Sequence, residues 1–187
     1  MFLTLILSSF LTFMELNCEN LFDTRHDSLK NDLEFLPDGS YRWTPYRYWA
    51  KLNHLGQEIV AQSNPIPDFV AMCEVENDSV MFDLTRRSLL RNAGYEYVMT
   101  SSPDERGIDV ALLYQPASFA LLHSHSIRIK PLPDTRPTRD ILYVSGLMIT
   151  GDTLHVFVVH APSRRGGEQA SRPYRLQVAN QLAEAVD

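Results

Sequence analysis

At 187 residues, with 44% apolar and 21% charged side chains, the chain has the length and composition of one folded domain with a real core. A net charge of −6 argues against a protein that holds nucleic acid through a broad basic face, but leaves room for phosphate recognition by a few arginines. The two cysteines, Cys18 and Cys73, are too few for a disulfide scaffold or a cysteine-built zinc site and read as buried thiols, with a disulfide between them as the lesser alternative.

Met1 to Met14 is apolar apart from Ser and Thr. It is too short to span a bilayer, so no transmembrane segment is expected. It also lacks the basic start of a secretory leader. Residues 1–10 stand as a degenerate signal segment that runs into the first strand, which leaves cytoplasmic and secreted or periplasmic locations both open. Leu11 to Asn17 has strand character, and Thr24 to Thr44 reads as a long polar loop or small hairpin turning at Pro37-Asp38-Gly39-Ser40. From Tyr46 to about Gln62, Trp49, Leu52, Leu55, Ile59 and Val60 recur at helical spacing.

Pro67-Asp68-Phe69-Val70-Ala71-Met72-Cys73-Glu74-Val75-Glu76-Asn77 predicts a buried strand with carboxylates at its tip. Asn77 or Asp78 caps a second helix to about Asn92, with Val80, Leu84, Leu89 and Leu90 inward and Gly94 as its stop. Short strands follow over 95–100, 108–114, 119–129, 141–149 and 153–159, with Gly151-Asp152 as a hairpin turn. A last helix runs from about Ser171, with Leu176, Val178, Ala179 and Leu182 on its apolar side. This order predicts an α/β layered domain of mixed sheet, a single unit over 1–187.

Four places put polar groups at strand ends: Asn17, Glu74, the run Arg106-Gly107-Ile108-Asp109, and His160 with the following Pro162-Ser163-Arg164-Arg165-Gly166-Gly167. Singly each has a plain explanation. Asn17 can cap a turn, Asp109 can be a strand-edge charge, His160 can be satisfied by backbone, and the arginines can belong to a solvated loop. Together they suit phosphate chemistry. A carboxylate and an amide suit a hard divalent ion such as Mg²⁺. A histidine beside a phosphate can protonate a leaving oxygen, an aspartate within reach fixes its tautomer, and arginines hold phosphate oxygens.

With these residues in place, the sequence resembles the endonuclease/exonuclease/phosphatase family, whose members include deoxyribonuclease I. Leu16-Asn17-Cys18-Glu19-Asn20-Leu21-Phe22 is similar to its first motif, Cys73-Glu74-Val75 to its Gln-Glu motif with Cys for Gln, and Val159-His160-Ala161-Pro162 to the segment carrying its general acid. The resemblance runs from about Thr12 to the last residue. It implies a four-layer α/β sandwich of the deoxyribonuclease I-like type, with mixed, mainly antiparallel sheets flanked by helices. It also implies a Mg²⁺-dependent phosphoesterase, with Mn²⁺ or Ca²⁺ as alternative ions, that hydrolyses nucleic acid, a nucleotide or another phosphodiester by metal-assisted attack of water. In that reading Glu74 and Asn17 serve the metal, His160 is the acid with Asp109 as its orienter, and Arg106, Arg164 and Arg165 hold substrate phosphate.

The family's later Gly-Asp-x-Asn and Ser-Asp-His motifs do not occur; the Gly151-Asp152 pair is followed by Thr-Leu. The sequence therefore reads as a C-terminally incomplete member, impaired in water activation. The alternative is a non-catalytic fragment or binding module that keeps part of the fold. Oligomeric state is not legible.

Overall fold

Phe69–Val75 (β2) is buried on both faces, as its unbroken apolar run predicts, because it lies inside a sheet with a core on either side. The computed structural model describes residues 10–62, 65–133, 136–164 and 166–187. In the first sheet β2 pairs in parallel with Phe13–Leu21 (β1) and antiparallel with Asp109–Tyr114 (β4), which pairs in turn with Glu96–Met99 (β3). Phe119–Ile127 (β5), Ile141–Met148 (β6) and Thr153–Val158 (β7) form a second, wholly antiparallel sheet.

The layers follow from side-chain alternation. Phe69, Cys73, Val110, Leu112 and Tyr114 of the first sheet meet Phe119, Leu142, Val144, Met148 and Val158 of the second in one buried cluster. The opposite face of the first sheet, including Val70, Met72 and Leu113, packs on helix α1 (Pro45–Ala61) and on helix α2 (Asp78–Phe82) with the turns after it. Helix α3 (Glu168–Val186) covers part of the second sheet through Val178 and Leu182. The result is helix, sheet, sheet, helix: the mixed α/β sandwich expected. The described residues contain no helix long and apolar enough to cross a membrane.

Several details depart from the sequence reading. The residues 1–9 of the expected signal segment lie outside those described. The loop after β1 contains a short 3₁₀ turn at Leu33–Phe35. It is pinned by Trp43 Nε1 donating to Phe22 O at 2.8 Å, and Thr44 caps α1 with Pro45 in its first turn. The expected continuous helix to Asn92 is broken. After Phe82 it widens into a π turn (Asp83–Arg87), becomes extended at Ser88 and resumes as a 3₁₀ turn (Leu89–Asn92). The cause is local: Ser88 Oγ donates to Leu84 O at 2.5 Å and accepts from Leu90 N–H at 3.1 Å, competing with the helical ladder. Leu89 is thereby turned outward, 43% exposed, while Val80, Leu84 and Leu90 are buried as expected.

In α3 the helix starts three residues early, at Glu168, and Leu176 and Ala179 face away from the core while Val178 and Leu182 face it. Both cysteines are free and buried. Burial pushes the Cys18 thiol strongly up and the Cys73 thiol up to about 11, so neither is a nucleophile at neutral pH.

Candidate active site

Backbone strain marks where the sheets become a site. Among the described non-glycine residues, Glu19 (φ 50°), Asn20 (φ 62°), Arg42 (φ 47°) and Glu74 (φ 61°) take left-handed backbone, and three of these four sit at the adjoining ends of β1 and β2. Such a conformation costs about 1–2 kcal/mol for a residue with a Cβ and collects at functional sites. Its effect on Glu74 is geometric. Phe69 and Cys73 face the second sheet, and Val70 and Met72 face the helices. Regular alternation would therefore send Glu74 among the helices. The register irregularity between Cys73 and Val75 lets Val75 take the helix side instead, and Glu74 lines the cavity at the sheet ends.

Glu74 has two polar neighbours. Asn20 N–H donates to its Oε2 at 2.9 Å, and His160 Nε2, from the end of β7, lies 3.6 Å from its Oε1. Glu74 and His160 thus come from different sheets and share one cavity of about 740 Å³ with Asp104, Arg106, Arg136, Arg139 and, from α3, Tyr174 and Gln177. Arg139, from the segment entering β6, is the buried cation here. It reaches Asp104 Oδ2 at 3.5 Å and donates to the carbonyls of His160 and Ala161 at 3.2 and 3.5 Å. Burial lowers the His160 pKa below 6.5, Arg139 lowers it further, and Glu74 opposes both. The imidazole is therefore neutral at pH 7.

The other expected site residues are placed as follows. Asn17 is exposed, and its Oδ1 accepts from Glu19 N–H at 2.8 Å, an Asx turn that supports the left-handed bend. Arg106 lines the cavity, half-exposed beside Asp104. Arg164 does not line it and pairs with Glu168 at 3.4 Å on the surface. Arg165 lies outside the described residues. Asp109, expected to orient His160, makes no hydrogen bond to it among the described residues. It is 5% exposed and its Oδ1 accepts from Thr100 Oγ1 at 2.6 Å, from Ser102 N–H at 2.8 Å and from Ser102 Oγ. Ser102 Oγ also accepts from Asp140 N–H at 3.0 Å, so Asp109 ties the first sheet to the start of β6. His160 Nδ1 is buried without a hydrogen-bond partner among the described residues.

Asn20, Arg139 and Asp104 are among the residues that escaped the sequence reading. Asn20 lies inside the first motif, but only its left-handed backbone brings its N–H to Glu74. Its side-chain Oδ1 is buried without a hydrogen-bond partner among the described residues. Arg139 and Asp104 stand in loops whose charges look solvated in sequence.

Beside the cavity, Glu76 is 7% exposed, and its Oε2 accepts from Asp23 N–H at 2.6 Å. Burial raises its pKa from the ordinary 4.5 to about 8. The Asp23 N–H opposes this, while the charges of Asp23, Asp32 and Asp27 add to it. The folded state therefore holds a proton that the unfolded chain has released above 4.5, and this contribution is lost as pH rises through about 8. Glu76→Gln removes the titration. Its stability relative to the parent is expected to grow by up to about 1.4 kcal/mol per pH unit between those limits. Urea unfolding of both proteins at pH 5 and pH 8 checks this; an unchanged difference would rule out the buried proton.

The family model described as "Endonuclease/Exonuclease/phosphatase family" matches residues 12–187. No curated protein is significantly similar in sequence. Among solved structures, the Bacteroides thetaiotaomicron mannosyl-6-phosphatase superposes with a TM-score of 0.62 at 16% identity, over 94% of this chain and 58% of that one. The human Nocturnin catalytic domain with bound sulfate anion gives 0.58 at 19%, over 94% and 58%. D. rerio TDP2 complexed with single strand DNA product gives 0.57 at 17%, over 93% and 54%. This chain therefore spans little more than half the length of each, and the likeness is one of fold.

Proposed function

The chain belongs to the endonuclease/exonuclease/phosphatase family, and from that premise we propose that its cavity binds the phosphate of a phosphate ester beside a divalent ion, for hydrolysis. One observation carries the reading: Glu74 and His160, delivered by two different sheets, meet in a cavity that also presents Arg106 and Arg139.

The donor set fits a hard, largely hydrated cation. Glu74 supplies a carboxylate, and Asn20, whose N–H holds that carboxylate, carries a neutral oxygen, Oδ1, buried without a partner among the described residues. Asn17 retains one lone pair on an oxygen already engaged by Glu19. Among the described residues no group of three or more His, Cys, Asp or Glu could hold a metal, so an ion at Glu74 would keep several waters. Mg²⁺, or Mn²⁺ or Ca²⁺ in its place, supplies Lewis-acid neutralisation of the phosphoryl oxygens when bound.

The chain's own residues do the rest. Arg106 and Arg139 offer guanidinium donors to phosphate oxygens. A phosphate brought between them adds negative charge beside His160 and raises its pKa, the direction a proton donor to the leaving oxygen needs. Asp104 fixes Arg139 and so keeps its fork in place.

The test uses a dinucleoside phosphodiester and a sugar phosphate, whose alkoxide leaving groups need a proton, with Mg²⁺ or Mn²⁺. The expected result is turnover that EDTA removes and that His160→Ala lowers by about 100-fold or more while ion binding persists. A second reading, a binding module without turnover, needs only the phosphate-holding arginines Arg106 and Arg139 of the cavity. It predicts stabilisation by Mn²⁺ and by inorganic phosphate with no hydrolysis. No response to either ligand would remove both readings.

A further inference from the structure

We infer that Lys51, on α1, is the positioning residue for the Glu74 carboxylate; the inference rests on the role of Glu74 proposed above. The register of β1 against β2 lapses between Asn17 and Leu21, so the carbonyls of Glu19 and Asn20 leave the sheet ladder. Lys51 Nζ takes up both, at 2.6 Å from Glu19 O and 3.3 Å from Asn20 O, the latter also accepting from Phe22 N–H at 3.2 Å. These are the two left-handed residues of β1. A bend of this kind persists where its surroundings over-determine it, and an ammonium shared by two consecutive carbonyls does so. Lys51 is half-buried, with Nζ 5.4 Å from the centre of the Trp43 ring, and its helix is anchored in the core by Leu52, Leu55 and Ile59.

The other side of the same peptide unit faces the site. Asn20 N–H holds Glu74 Oε2, and Asn20 also carries the unpartnered Oδ1. A continuous mechanical path therefore runs from α1 through the ammonium and the bend to the carboxylate. Without the cation, the bend relaxes toward extended backbone, Asn20 N–H turns from Glu74, and the two oxygens proposed for the ion lose their fixed spacing. Arginine can donate to both carbonyls; methionine fills the same space and donates to neither.

The experiment reads the Asn20 amide by NMR hydrogen exchange, and Mn²⁺ binding by calorimetry, in the parent, Lys51→Met and Lys51→Arg. Lys51→Met is expected to speed Asn20 exchange about tenfold or more and to weaken Mn²⁺ by about 10–100-fold, as loss of a ligand's supporting contact does. Core amides such as those of Leu112 and Val144 should be unmoved. Lys51→Arg should keep most of both properties, and ethylammonium added to Lys51→Ala should restore Asn20 protection. Asn20 exchange that ignores Lys51→Met, or an arginine variant as impaired as the methionine one, would overturn the inference. Should Lys51→Met not fold, the arginine variant and ethylammonium rescue decide alone. A parent that fails to bind Mn²⁺ while Asn20 responds to Lys51 removes the metal reading and leaves the positioning role standing.

Discussion

Glu74→Gln is expected to lose divalent-ion binding by about 100-fold or more with little change in the ion-free fold. Glutamine matches glutamate in shape, and its side-chain oxygen can still accept from Asn20 N–H, so the bend keeps its partner. What disappears is the negative charge facing the cavity. Linkage turns this into a melting experiment: at a Mn²⁺ concentration about 100 times the parent's Kd, the parent gains about 2.7 kcal/mol. A variant with 100-fold weaker affinity gains only about 0.4 kcal/mol at that concentration. Equal stabilisation of both proteins would place the ion elsewhere and dissolve the functional reading with it.

The second large effect concerns the sandwich itself. Gly146→Ala is expected to destabilise the fold by about 2–3 kcal/mol, the overpacking range for a close-packed core. A Cβ at position 146 would lie 2.3 and 2.5 Å from Phe119 Cζ and Cε2, and 2.6 Å from Ala120 O. Phe119 cannot swing clear, since it is 1% exposed and packed edge-on to Phe69 and Tyr114, with ring centres 5.1 and 5.5 Å away. The carbonyl belongs to the paired strand β5 and cannot retreat without breaking its ladder. Urea denaturation measures the loss. Phe119→Leu should cost stability alone yet recover part of it in the Gly146→Ala background. Strict additivity would show that the ring is not the obstacle.

The sheet framework was legible because its signals are local. Phe69–Val75 and Asp109–Tyr114 are short apolar runs bounded by turn residues, and Pro45 to Ala61 keeps a helical period. The broken second helix was not legible, because Ser88 shows its effect only when its hydroxyl is seen bonding to Leu84 and Leu90. In the cavity, Glu74 and His160 stood out as polar residues at the tips of buried strands, and the fold brings them together. Asp109 looked similar in sequence, but one oxygen of its carboxylate is taken by Thr100 and Ser102. Arg139 and Asn20 were hidden for the opposite reason. Burial of Arg139 depends on the meeting of two sheets, and the position of Asn20 depends on a left-handed backbone that asparagine adopts more readily than most residues but that its type alone does not require.

The left-handed bend at Glu19 and Asn20 also sets a direction for laboratory evolution. Glycine adopts that backbone without steric penalty, so a library selected for heat resistance alone should drift toward glycine at position 20. Each such winner would discard the carboxamide oxygen proposed for the ion. A library selected for heat resistance and ion retention together should keep Asn20 and seek its gains in α3 or the surface loops. The choice of screen thus decides whether robustness and chemistry part company at this one peptide unit.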